Sequence, residues 1–280
     1  FMIPNFPSLP PSILLASWDT RAREYCMAWP LVIIPVILLW VASLVKILCE
    51  PTSPSNGSFL NIGGAERRNV LLVVAHPDDE SMFFSPIINY LTSRGHIFHI
   101  LCISTGNADG MGELRKEELH HASAILKVPL QRVKILDHPA LQDGFGKIWD
   151  LDLLAELIEQ VVITHDIDVI ISFDSYGISG HCNHRDVHLG IRKLLLDCGL
   201  RNIEAWELVS RNIIRKYSGL MEVWLSKYFG AGGYHCLLNP HPRRSFVAMA
   251  QHRSQWIWFR KLFVIFSSYT YVNTIRRISV

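Results

Sequence analysis

In this 280-residue chain, His76-Pro77-Asp78-Asp79-Glu80 follows directly on the apolar run Leu71-Leu72-Val73-Val74-Ala75. Such a run reads as a buried parallel strand, and strands of that kind present function at their carboxyl ends. Packing requires no three carboxylates there. Imidazole with carboxylate is a zinc-type ligand set, and a neighbouring carboxylate can act as base toward an attacking water. A helix start is the alternative, because acids favour the positive end of the macrodipole and Asp78 could cap the following helix.

A second cluster bears on that choice. The run Val169-Ile170-Ile171-Ser172-Phe173-Asp174 leads into a segment containing His181, Cys182, Asn183, His184 and His188. Both clusters leave carboxyl ends of strands, so both belong on one rim of a sheet. His181 and His184 are close enough to face one centre, while His184 and His188 are a helical turn apart. A metal site begun by His76 and Asp79 needs one more nitrogen ligand, and His184 supplies it. His188, beside Arg192 and Leu195, reads as a packing residue, and Cys182 should point away from its neighbours in an extended loop.

Elements must position these groups. Apolar patterning predicts strands over 69–75, 97–104, 133–136, 168–174 and 203–209, with helices over 79–94, 113–127, 151–164 and 184–196. That alternation is α/β: a Rossmann-like, mostly parallel sheet with helices on both faces. The dinucleotide fingerprint is missing, since His-Pro-Asp-Asp stands where G-x-G-x-x-G belongs.

A net charge of +2 argues against broad nucleic-acid binding, and six cysteines without a C-x-x-C pair form no disulfide framework. Mean hydropathy is positive, which hints at membrane contact. No charge interrupts Ala28 to Val45, so the chain reads as a tail over 1–27, a transmembrane anchor over 28–49, a Pro/Ser/Gly linker over 50–66 and a domain over 67–280. A cleaved signal peptide is the rival, but its apolar region should be shorter. Flanking cations on both sides leave orientation undecided. Asn56-Gly57-Ser58 in the linker is a formal glycosylation sequon. Near the carboxyl end, Trp256 to Phe266 is too short and too charged to span. It reads either as an interfacial segment or as a terminal helix packed on the sheet.

Several motifs in order resemble the LmbE-like metal-dependent deacetylases. They are Ala75-His76-Pro77-Asp78-Asp79-Glu80, Thr105-Gly106-Asn107, Arg115-Lys116-Glu117-Glu118, Gly180-His181-Cys182-Asn183-His184 and His252-Arg253-Ser254-Gln255. The resemblance implies that His76, Asp79 and His184 hold one divalent metal, zinc by preference. It implies Asp78 as general base and protonated His181 as oxyanion stabiliser. Asn107, Arg115, Asn183 and His252 would serve the substrate. Asn183 departs from the family's commoner Asp; it could orient His181 without raising its pKa. Arg115 has a second reading, as a helical partner of Glu118. Within the family, the anchor, Asn183 and the ending Gln251 to Trp256 are most similar to the eukaryotic branch acting on N-acetylglucosaminyl-phosphatidylinositol. That branch works in glycosylphosphatidylinositol-anchor synthesis at the cytosolic face of the endoplasmic reticulum. Two competing readings remain: a membrane-tethered glycolipid-binding pseudoenzyme, and a deacetylase of another N-acetylglucosamine conjugate.

Overall fold

The structure, a computed structural model, describes residues 11–49, 60, 67–144, 146–197, 203–228 and 233–279. The chain divides into an amino-terminal unit ending at Val45 and a second unit beginning at Lys46. The first unit lies in helix α1 (Pro11–Cys49), which continues through Pro30 and Pro35. Residues 11–27, expected as a tail, are therefore helical. Proline suits a first helical turn, and no glycine interrupts the residues that follow. Trp29–Ile47 is long and apolar enough to cross a bilayer, by length and composition. Residues 1–10, and the linker with its sequon apart from Leu60, lie outside the described residues.

In the second unit, β1 (Asn69–Val74), β2 (Ile97–Cys102), β3 (Val133–Ile135), β4 (Val169–Phe173), β5 (Glu204–Leu208), β6 (Tyr234–Leu238) and β7 (Val272–Arg277) form one sheet. Its order is β3-β2-β1-β4-β5-β7-β6. The pairs among β1 to β5 are parallel, while β7 runs antiparallel to both β5 and β6. Val70 to Val74 are buried in unbroken succession, as are the residues of β4, so both faces of the central sheet are covered. The covering helices are α2 (Asp79–Met82), α3 (Ser85–Ser93), α4 (Gly112–Ile125), α5 (Leu151–Thr164), α6 (Gly177–Gly180), α7 (Cys182–Asp197), α8 (Ile213–Lys216), α9 (Glu222–Tyr228), α10 (Pro242–Met249) and α11 (Trp258–Phe266).

Two features differ from the sequence expectation. The helix predicted over 79–94 breaks into α2 and α3, because Pro86 has no N–H to donate to the preceding turn and is accommodated in the first turn of a new helix instead. Asn273 of β7 repairs the break: its amide nitrogen donates to Phe83 O at 2.9 Å and its oxygen accepts from Ile87 N at 3.1 Å. The antiparallel edge β6–β7 also lacked a sequence signal strong enough to predict. Its strands follow short, helix-interrupted stretches, and Tyr234 to Cys236 are not buried, so no apolar run marks them.

What positions the site is the switch in strand order. β1 lies between β2 and β4, so the chain leaves β1 on one side and β4 on the other, opening a crevice at their carboxyl ends.

Candidate active site

The loop after β1 and the loop after β4 bring His76, His181 and His184 together, with ligand atoms all within 4.8 Å of one another. Asp79 lies against two of the three. Its Oδ1 is 3.2 Å from His184 Nε2, and its Oδ2 is 3.6 Å from His76 Nδ1. Oδ2 also accepts from the backbone N–H of Ala75 and His76, at 3.1 and 2.8 Å, which fixes the carboxylate to the end of β1. His184 is fixed twice: Nδ1 reaches Gly177 O at 3.1 Å, and its ring stacks on Phe173 at 4.0 Å. Gly177 has φ +65°, and a Cβ there would stand 2.8 Å from His184 Cβ. Only glycine meets both demands. Asp174 holds the same loop by accepting from Tyr176 N, Gly177 N and Ser210 N.

The charge balance indicates what the cluster wants. Burial opposes charge on His76, yet hydrogen bonds to Asp143 and Asp79 outweigh it and raise its pKa to about 10. Burial likewise opposes charge on Asp79, but His184 and His76 hold its carboxyl well below the usual range. Asp79 and Asp143 thus recruit a proton onto an imidazole when no other cation is there. A divalent cation fits that donor set, and its binding would displace the proton.

Asp78 does not cap α2. Its side chain makes no capping bond, so the helix-start explanation of this acid falls away. Its backbone is held at φ +123°, a conformation costing roughly 1–3 kcal/mol that persists only where surroundings enforce it. Glu80 enforces it by accepting from Asp78 N at 3.1 Å, and His252 Nε2 in turn contacts Glu80 Oε1 at 2.7 Å. Asp78 Oδ2 instead faces two guanidiniums, Arg115 at 3.5 Å and Arg260 in a close ion pair.

The expected substrate residues have different surroundings. His252 is fully buried behind Glu80, so it supports the Asp78 turn and has no face for a substrate. Burial opposes its charge, but Glu80 raises its pKa above the ordinary value. Asn183 does not orient His181; its Oδ1 lies 3.2 Å from His76 Nε2. Arg115 is not paired with Glu118, which accepts instead from Ser254 N and Oγ at 2.7 and 2.6 Å. The Arg115 guanidinium donates to Gly106 O and Pro77 O, tying two loops together. Asn107 is exposed, with Oδ1 accepting from Gly112 N, beside a cleft shared with Thr105, Met111 and Asp137. Burial first, then its imidazole neighbours His76 and His184, push the His181 pKa down to about 4. His188 packs as expected, with Nδ1 3.1 Å from Phe173 O, and Cys182 stays out of the imidazole cluster.

Sequence reasoning missed Asp143. Its Oδ1 is 3.1 Å from His76 Nε2, so it orients the imidazole through the nitrogen facing away from Asp79. The signal available was its place in the long connection between β3 and α5, a kind of loop that is often functional. The Arg260 contact with Asp78 spans 182 residues of sequence and had no local signal.

A mostly parallel sheet with an imidazole–carboxylate cluster at its switch point defines an α/β protein built around a candidate metal centre. Comparison with known proteins narrows that class. The family described as GlcNAc-PI de-N-acetylase matches residues 71–195. The N-acetylglucosaminyl-phosphatidylinositol de-N-acetylase of Bos taurus is 36% identical over 76% of this chain and 84% of its own. A probable enzyme of the same name from Schizosaccharomyces pombe is 33% identical over 86% of this chain and 99% of its own. Solved structures share the fold at low identity. The Pyrococcus horikoshii N,N'-diacetylchitobiose deacetylase aligns with TM-score 0.52 and 14% identity, covering 85% of this chain and 92% of that one. The Pseudomonas hydratase GalB aligns with TM-score 0.53 and 14% identity, covering 76% and 97%, so this fold serves more than one chemistry. The chain belongs to the N-acetylglucosaminyl-phosphatidylinositol de-N-acetylase family.

Proposed function

We propose that this protein hydrolyses the acetamide of N-acetylglucosaminyl-phosphatidylinositol to glucosaminyl-phosphatidylinositol and acetate, the second step of glycosylphosphatidylinositol-anchor synthesis. The observation that carries it is the division between adjacent acids: Asp79 turned to two imidazoles, Asp78 turned to two guanidiniums. Family membership supplies the substrate.

His76, Asp79 and His184 would hold one divalent ion, zinc by the softness of the set. Asp79 reaches both histidines, through Oδ1 to His184 Nε2 at 3.2 Å and through Oδ2 to His76 Nδ1 at 3.6 Å. Such an ion, when bound, supplies Lewis acidity at the acetamide carbonyl and acidifies the attacking water. Asp78 takes the water's proton and delivers it to the leaving amine. His181 donates a hydrogen bond to the developing oxyanion. Asp143 and Asn183 keep His76 in its ligating orientation.

Trp29–Ile47 would be the single membrane anchor, with the catalytic unit on the cytosolic face of the endoplasmic reticulum. Helix α11 would lie at the lipid surface. It packs inward through Val264 but exposes Trp258, Phe259, Leu262, Ile265 and Phe266 beside Arg260 and Lys261.

The test is acetate release by the full-length chain in detergent. Protein reloaded with zinc should release acetate from the glycolipid, chelator should abolish release, and N-acetylglucosamine should be a poor substrate. Tight glycolipid binding with no acetate released by metal-loaded protein would make this a binding protein instead.

A further inference from the structure

The two guanidiniums at Asp78 are not equivalent. Arg115 is buried, and its Nη1 and Nη2 donate to Gly106 O and Pro77 O at 2.8 and 2.7 Å. It is committed to the protein. Arg260 comes from α11, and its side chain remains 22% exposed while Nη1 holds Asp78 Oδ2. A guanidinium carries five donors in a planar fork, so one nitrogen on a carboxylate leaves the others for a second anion.

Arg260 also stands where two surfaces meet. On one side is the Asp78 carboxylate. On the other is an apolar groove lined by Tyr217, Phe259, Leu262, Phe263 and Phe266, with Arg260 in its wall. Phe259, Leu262 and Phe266 keep 44–50% of their surface exposed. A cation between a polar catalytic crevice and an apolar trough matches one kind of molecule: a sugar joined through a phosphodiester to acyl chains.

We propose that Arg260 recognises the phosphodiester of a lipid-linked substrate, holding Asp78 with one edge of its guanidinium and the phosphate with the other. The glycerolipid portion of the same molecule lies along the groove of Tyr217, Phe259, Leu262, Phe263 and Phe266. The inference rests on the deacetylase reading above and goes beyond it by assigning the residue that tells a phospholipid-linked sugar from a free one. Binding of the correct headgroup would also steady the side chain that holds the base, linking recognition to turnover.

The test compares three substrates of the full-length, zinc-loaded chain: diacyl N-acetylglucosaminyl-phosphatidylinositol, its water-soluble deacylated inositol phosphate, and N-acetylglucosaminyl-inositol without phosphate. In Arg260→Gln, kcat/KM on both phosphate-bearing substrates should fall about 10- to 100-fold further than on the phosphate-free one, mainly through KM. Arg260→Lys should recover part of that difference, since it restores charge without the fork. Phe259→Ser with Phe266→Ser should depress only the diacyl substrate. If Arg260→Gln is too unstable to assay, glycerophosphoinositol should still inhibit wild-type turnover of the phosphate-free substrate competitively, and Arg260→Lys should weaken that inhibition. Equal losses on all three substrates, or absence of that inhibition, would make Arg260 a partner of Asp78 alone and overturn the proposal. Failure of the wild type to release acetate from any of the three would overturn the deacetylase reading itself.

Discussion

Asp78 and Asp79 are chain neighbours facing opposite tasks, and their partners decide which is which. Asp79 has its oxygens occupied by backbone N–H groups and two imidazoles, as a ligand should. Asp78, in a strained turn, faces cations and the crevice. Replacing Asp78 by Asn should therefore leave metal content intact and lower turnover by ~10²–10⁴-fold. Metal analysis beside single-turnover assays checks this; near-normal turnover at full occupancy would take the base role away from Asp78. Asp143 makes a separate prediction. Removing its charge with Asp143→Asn leaves His76 Nε2 with Asn183 Oδ1 and no carboxylate, and metal affinity should drop about 10- to 100-fold in chelator competition. Unchanged affinity would reduce Asp143 to a loop carboxylate.

Elements are joined to the site through buried polar pairs. His252 follows α10 yet reaches Glu80 of α2, and both side chains are fully buried. Breaking such a pair from one side leaves a charge without a partner, so His252→Ala should cost about 3–5 kcal/mol in urea unfolding. It should also slow turnover, because Glu80 would no longer hold the Asp78 turn. A smaller loss than that of a surface alanine substitution would deny the pair this role. On β2, His99 gives a pH-linked expectation. Burial, then nearby His165 and Arg132, push it down to about 4. The unfolded chain, titrating near 6.5, takes up the proton first as pH falls. Stability should thus be full above pH 6.5, decline from there to about pH 4 and level off below. The His99→Gln variant should show a flatter profile over that range in thermal melts.

For the whole molecule, the proposed membrane attachment is twofold, through Trp29–Ile47 and through the aromatic-basic face of α11. Deleting residues before Pro51 should release the protein only partly, with the remainder sedimenting with anionic vesicles more than with neutral ones. Adding Trp256, Trp258 and Phe259 to Ser should then abolish vesicle binding and depress activity on the bilayer substrate more than on a short-chain analogue. A truncation that is wholly soluble, with undiminished activity on bilayers, would leave α11 as packing only.

Read alone, the sequence determined the parts of this protein that depend on neighbours in the chain. Apolar runs ending in His76-Pro77-Asp78-Asp79 and in the His181–His184 loop specify parallel strands with reactive carboxyl ends, and parallel topology then puts both ends on one rim. The packing role of His188 was legible from helical spacing, whereas Cys182, expected in an extended loop, opens α7 and still stays out of the imidazole cluster. Tertiary structure alone decided which distant side chains close on those motifs. Asn183 turned to His76, His252 went behind Glu80, Asp143 came over His76 and Arg260 reached Asp78. It also decided how the break at Pro86 is closed, because Asn273 from the last strand takes up Phe83 O and Ile87 N there. Motif residues sit where local backbone geometry sets them; their partners are chosen by packing among segments that lie far apart in the chain, and no short-range pattern records that choice.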